Sequence, residues 1–135
     1  MTTLRKSIYL KADKETVWAY LTQVEKVKTW FHLYDADLEE GQDYKIIGKD
    51  SGSELGFGTV TRAQPFDRLE YTFSIGPMEG ATSTVFWTLD EVPGGTRLNV
   101  EHIGLAEDAE SFALILALDA GWDMHLGQLR DAVAD

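Results

Sequence analysis

An α+β fold is predicted: a curved antiparallel sheet of about six to seven strands gripping one long C-terminal helix. Three features of the sequence predict it. Residues 38 to 102 contain only alternating strand-like segments separated by turns. Helical spacing is confined to two short stretches before Phe31 and one long stretch after Gly104. The strands alternate strictly, so the sheet has one apolar face, and a long amphipathic helix is its natural cover.

The elements follow in order. Arg5 to Leu10 alternates, with Leu4, Ile8 and Leu10 on one face, and reads as a first strand. Asp13 is a suitable N-cap for a helix through Leu21, whose apolar stripe is Val17, Trp18 and Leu21. A second short helix is expected over Glu25 to Trp30. Leu38 to Tyr44 suggests a strand that turns at Gly41 and continues from Tyr44 to Gly48. Phe57 to Ala63 is strand-like, and Gly56-Phe57-Gly58 reads as a bulge or bend. Leu69, Tyr71, Phe73 and Ile75 share one face of the next strand, which Gly76-Pro77 ends. Val85, Trp87 and Leu89 share a face of another. Pro93-Gly94-Gly95 turns the chain into a last strand with Thr96, Leu98, Val100 and His102 on one side. The terminal helix then runs to about Val133, with Leu118, Trp122, Leu126, Leu129 and Val133 at helical spacing.

The length of 135 residues corresponds to one domain, taken as residues 1–135. Hydrophobic residues make up 44%, enough for a real core, and there are no cysteines, so disulfide and thiolate chemistry are excluded. No segment approaches the ~18 consecutive apolar residues of a membrane span. The N-terminus lacks the apolar run of a signal peptide, and a cytoplasmic location is the expectation. The net charge is −11 and uneven: residues 69–135 carry Arg97 and Arg130 against twelve acids. Such a surface repels a phosphate backbone, which disfavours nucleic acid as a partner. The acidity serves solubility or forms a docking face for a basic protein.

A set of short motifs stands in order along the chain, which has no internal repeat. These are Val17-Trp18, Trp30-Phe31, Gly58-Thr59-Val60, and Pro65 followed by Arg68-Leu69-Glu70-Tyr71-Thr72-Phe73. Thr84 to Leu89, Gly95-Thr96-Arg97-Leu98, His102-Ile103-Gly104 and Gly121-Trp122 complete it. Together they resemble the START-like (SRPBCC) superfamily, and within it the homologues of the heat-shock chaperone ATPase activator, over nearly the whole chain. The resemblance implies a helix-grip (Bet v-like) fold with a hydrophobic cavity. It does not fix an activity, since members include lipid carriers, polyketide cyclases and a co-chaperone. Arg62 stands where many relatives carry an acid, so no charged-residue role is carried across.

Candidate ligand-binding residues are Trp30, Phe57, Tyr71, Phe73, Trp87 and Trp122, all expected to face inward, where they form either a packed core or the wall of a cavity. Tyr71 offers a hydroxyl to orient a ligand. His102 is expected inside, either satisfied as a core histidine or hydrogen-bonded to a ligand head group. As a general base it would need a positioned partner, and the sequence supplies none. His125 is expected at the exposed margin of the terminal helix, and His32 in solvent at a loop start. No metal-ligand spacing and no cofactor motif is present, so no cofactor is expected.

Phe112 to Leu118 is apolar all round, which suggests a homodimer contact or a mobile lid if no loop or helix covers it. Gly121 and Gly127 sit within the same helix at a cost of ~1 kcal/mol each relative to alanine. Close approach to the sheet, or room for a ligand beside Trp122, would account for them. The expected function is binding of a lipid-like or aromatic molecule between helix and sheet. The alternatives are an acidic, co-chaperone-like interaction module and a cyclase-like enzyme using His102.

Overall fold

The computed structural model describes residues 2–134. Its elements are β1 (Thr2–Leu10), α1 (Lys14–Thr22), α2 (Val24–Val27), β2 (Leu33–Tyr34), β3 (Asp43–Ile47), β4 (Glu54–Gln64), β5 (Arg68–Ile75), β6 (Ser83–Val92), β7 (Gly95–Leu105) and α3 (Phe112–Ala134). The seven strands form one antiparallel sheet in the order β1-β7-β6-β5-β4-β3-β2. β1 and β2 are its two edges, so α1 and α2 carry the chain from one edge to the other. The arrangement is the helix-grip fold, with α3 lying across the sheet.

Local chemistry sets the boundaries. Asp13 is extended and its carboxylate accepts the Thr16 N–H at 2.8 Å, which starts α1. Hydrogen bonding from Thr16 also holds the Asp13 carboxyl below its ordinary range. α1 buries Val17, Trp18, Leu21 and Thr22. The expected second helix is only one turn long, and turns continue it to Phe31, whose N–H reaches the Val27 carbonyl at 2.8 Å. The Trp30 indole N–H donates to the Tyr20 carbonyl at 2.7 Å, satisfying an acceptor near the end of α1.

The strand expected at Leu38 is absent. Leu38 is buried in a loop, and its N–H caps the Thr22 carbonyl at 2.9 Å. Asp35 accepts the Lys45 N–H of β3 and Asp37 the Val24 N–H at the start of α2, each at 2.8 Å, so short polar side chains fix this segment as a loop. The strand that does precede β3 is the two-residue β2.

β4 bends where the glycines predict it. A Cβ on Gly58 would stand 2.0 Å from the Thr72 carbonyl oxygen and 2.6 Å from the Tyr44 ring. The ring fills the space that glycine leaves, and the Tyr44 hydroxyl donates to Thr72 O at 2.7 Å. Register slips by one residue on either side of this pair, against β3 near Leu55 and against β5 near Thr61. The β6–β7 turn is tight, with Val92 opposite Gly95 and Gly94 at φ 90°.

The inward faces of β5, β6 and β7 supply Leu69, Tyr71, Phe73, Val85, Trp87, Leu89, Leu98, Val100 and His102, all buried. Above them Trp30 meets Trp87 edge-on at 6.0 Å, and Trp87 meets Trp122 at 5.5 Å. Tyr34, Tyr44 and Tyr71 continue this packing at 5.1 and 5.5 Å. Trp122, Leu126 and Leu129 of α3 close over it.

Candidate ligand cavity under the first half of the terminal helix

α3 does not reach the sheet evenly. All its buried residues lie from Trp122 onward, while the segment before it leaves space above the end of β5. That space is a cavity of about 250 Å³. α3 lines it with Leu114, Ala117, Leu118, Gly121, Trp122 and His125; Phe73, Ile75 and Pro77 close it from the sheet side, and Phe31 and His32 from the segment after α2. The wall is apolar apart from the two histidines, and no carboxylate borders it.

Gly121 now has a reason. A Cβ built on it meets nothing within 4 Å, and the residue borders the cavity beside Trp122, so its missing side chain leaves volume open. Close approach to the sheet, the other explanation, does not hold for Gly121 or Gly127, since a Cβ on Gly127 also meets nothing. Nothing in the structure explains Gly127.

Of the seven candidate residues, Phe73 and Trp122 border the cavity. Trp30, Tyr71, Trp87 and His102 are buried as expected but belong to the closed aromatic core and do not line the cavity. Phe57 does not face inward. It is 44% exposed, paired with Lys45 of β3 and the buried Ser74 of β5, because Gly56, Gly58 and Val60 take the inward positions of β4. The Tyr71 hydroxyl accepts the Trp87 indole N–H at 3.1 Å. Burial pushes its ionisation up to about 12, so it is a neutral core hydroxyl with no reach to the cavity.

His102 is a satisfied core histidine. The Trp122 indole N–H lies 3.1 Å from its Nδ1 and can only donate, so Nδ1 accepts. The ring proton therefore sits on Nε2, which donates to Ser83 Oγ at 2.6 Å, and the Ser83 hydroxyl donates to the Phe73 carbonyl at 3.2 Å. A histidine that activates a serine needs the opposite tautomer, with a bare Nε2 and an acceptor holding Nδ1–H. The Ser83–His102 pair thus has neither the base nor the access for catalysis. Burial lowers the His102 pKa to about 4, which keeps the ring neutral and the chain of donors intact.

The polar groups that do meet the cavity are the two histidines expected outside. His32 and His125 are half-buried, with ring centroids 5.2 Å apart at 67°. Both pack against Phe31, at 4.5 and 4.7 Å, and Phe31 itself stacks on Trp122 at 5.6 Å. His125 Nδ1–H donates to the Trp30 carbonyl at 3.1 Å, which fixes its ring. Burial lowers the pKa of both, that of His32 to about 4, with the neighbouring His125 and Lys49 adding to the effect. The signal was present in the sequence as His125 three residues after Trp122, one helical turn along the same face. Among the described residues no group of three or more His, Asp or Glu side chains is arranged to hold a metal, and no helix is long and apolar enough to cross a membrane.

A family model described as "Activator of Hsp90 ATPase homolog 1-like protein" matches residues 11–134. No curated protein matches the chain. Among solved structures, protein MLL2253 from Mesorhizobium loti is 22% identical, with a TM-score of 0.86 over 98% of this chain and 97% of that one. The Aha1 dimer from Colwellia psychrerythraea is 20% identical, with a TM-score of 0.82 over 98% and 96%. DynU16, a putative protein in the dynemicin biosynthetic locus, is 26% identical with a TM-score of 0.79, over 96% of this chain but 46% of its own.

Proposed function

Given that the chain belongs to the Activator of Hsp90 ATPase homolog 1-like family, we propose that it holds a small hydrophobic molecule in the cavity between α3 and the end of β5. One observation carries this reading: a space of about 250 Å³ with apolar walls, kept open by a glycine in mid-helix. An engineered apolar cavity of ~150 Å³ stays dry and takes up benzene. A volume just under the ~300–1,000 Å³ of drug-sized pockets suits one aromatic ring with a short side chain, or a short acyl chain. Burying ~200 Å² of apolar ligand surface at ~25 cal/mol per Å² gives ~5 kcal/mol, which corresponds to a Kd near the millimolar range before any polar contact.

Replacing Gly121 with leucine tests the reading. The side chain fills the cavity next to Trp122, while removal of a mid-helix glycine favours α3 by up to ~1 kcal/mol. Saturable quenching of tryptophan fluorescence by a phenyl or short acyl probe should therefore vanish in Gly121→Leu with the melting temperature unchanged or raised. Equal binding by the variant, or no saturable response from the unmodified protein, contradicts the proposal.

A second reading, a surface that docks a chaperone or a second copy of the chain, is favoured by the outer face of α3. Phe112, Leu116 and Met124 are 57%, 56% and 54% exposed and fall with Ala120 on one four-residue repeat. Leu116→Lys should abolish any concentration-dependent increase in sedimentation coefficient. A sedimentation coefficient independent of concentration in the unmodified protein removes the homodimer.

A further inference from the structure

Resting on the cavity as a ligand site, we propose that its occupant is a small amphipathic acid, with an aromatic or short-chain body inside and a carboxylate held at the mouth by the imidazoles of His32 and His125. The apolar wall sets the body and the histidine pair sets the head. These two rings are the only polar side chains on the cavity wall. Neither ring nitrogen of His32 has a hydrogen-bond partner among the described residues. They are not sealed either, since Ser74 Oγ is the sole fully buried side-chain polar atom left unsatisfied there. The unpaired, solvent-accessible nitrogens of His32 are therefore available to a ligand head group in place of water. The Trp30 carbonyl orients His125, and the Gln128 amide flanks its ring.

Charge selects an anion as that partner. His125 and Lys49 act on the His32 ring and Lys49 on the His125 ring, and no carboxylate borders the cavity. Lys49 is anchored by donating from Nζ to the Lys28 carbonyl at 2.7 Å. In a chain of net charge −11, a cavity wall that carries two imidazoles and no carboxylate is a place that disfavours an anion less than the rest of the surface does. Both imidazoles are neutral at pH 7 in the empty site, and a carboxylate beside them raises their proton affinity. Binding then takes up a proton from solvent, which converts one imidazole to an imidazolium paired with the anion.

Three matched probes test this at pH 6.5: 3-phenylpropanoate, 3-phenylpropanol and 3-phenylpropylamine, followed by calorimetry in buffers of different ionisation enthalpy. The expected order is acid over alcohol by tenfold or more, then amine, with uptake of up to one proton for the acid alone. His32→Phe keeps a ring at the mouth and breaks no hydrogen bond of the fold, so its melting temperature should hold while the preference for the acid falls towards parity. An alcohol that binds as tightly as the acid overturns the head-group assignment and leaves the cavity reading standing. An acid preference that survives His32→Phe overturns it too. Failure of all three probes overturns both.

Discussion

The two halves of α3 face the same sheet with opposite results. From Trp122 on, the helix buries Trp122, Leu126 and Leu129 over Trp87, Trp30 and their neighbours. Before Trp122 no side chain of the helix is buried, although Phe112 to Leu118 is as apolar as any segment of the chain. Hydrophobicity is therefore not what separates core from cavity. The difference lies in what the sheet offers beneath. The closed half meets an interlocked set of indole and phenol rings, whereas the open half meets the end of β5, where Ile75 and Pro77 leave the strand. One half of the helix holds the fold together, and the other borders a cavity.

Substitutions on the two halves should differ most. Trp87→Ala, in the closed half, is expected to cost ~3–5 kcal/mol, whereas Leu114→Ala at the cavity should cost under ~1 kcal/mol, because no packed side chain loses its partner. Urea unfolding of the pair checks this, and equal losses would erase the distinction. His102→Phe should cost ~2–4 kcal/mol, since it strands the Trp122 indole N–H and removes the donor to Ser83 Oγ, which keeps only its bond to the Phe73 carbonyl. Native stability close to the unmodified protein would place the relay outside the core.

Acid provides the next contrast. The folded pKa of His102 is about 4, below the ordinary 6.5, so the unfolded chain takes up that proton first. Its contribution to stability is complete above pH 6.5 and is lost as pH falls towards 4, with a slope approaching ~1.4 kcal/mol per pH unit. Unfolding free energies between pH 7 and 5 should fall more steeply for the unmodified protein than for His102→Phe; parallel curves contradict a neutral buried ring. The smallest effect is expected at the rim. Lys6 Nζ bridges Asp119 and Asp123 at 2.8 and 3.0 Å across the α3–β1 contact, in partly exposed surroundings. Lys6→Ala should cost no more than ~1 kcal/mol, and less in high salt.

Much of this architecture was legible in the chain. The Asp13 cap, the alternation through Leu69 to Ile75 and the inward set Thr96, Leu98, Val100 and His102 read correctly because period and capping are local properties. Phe57 misled because its inward neighbours are glycines, which carry no hydrophobic signal to fix the phase. Leu38 misled because this segment is held by local bonds instead of a ladder: Asp35 accepts the Lys45 N–H of β3, Asp37 the Val24 N–H at the start of α2, and Leu38 N–H donates to the Thr22 carbonyl. The candidate site was harder still. Facing inward does not reveal whether a residue meets another ring or an empty space, so Trp30, Tyr71, Trp87 and His102 were indistinguishable from Phe73 and Trp122. His32 and His125 come together only through the fold, 93 positions apart in sequence.

The claim that α3 leaves usable room above the end of β5 meets its most direct test in the indole N–H resonances of a 15N-labelled sample titrated with 3-phenylpropanoate. Trp122 borders the cavity, whereas Trp18 packs near Phe66, outside it. The account predicts a saturable shift at Trp122 with Trp18 unmoved. A Trp122 resonance that stays in place at saturating probe, or one that moves only in step with Trp18, would contradict it.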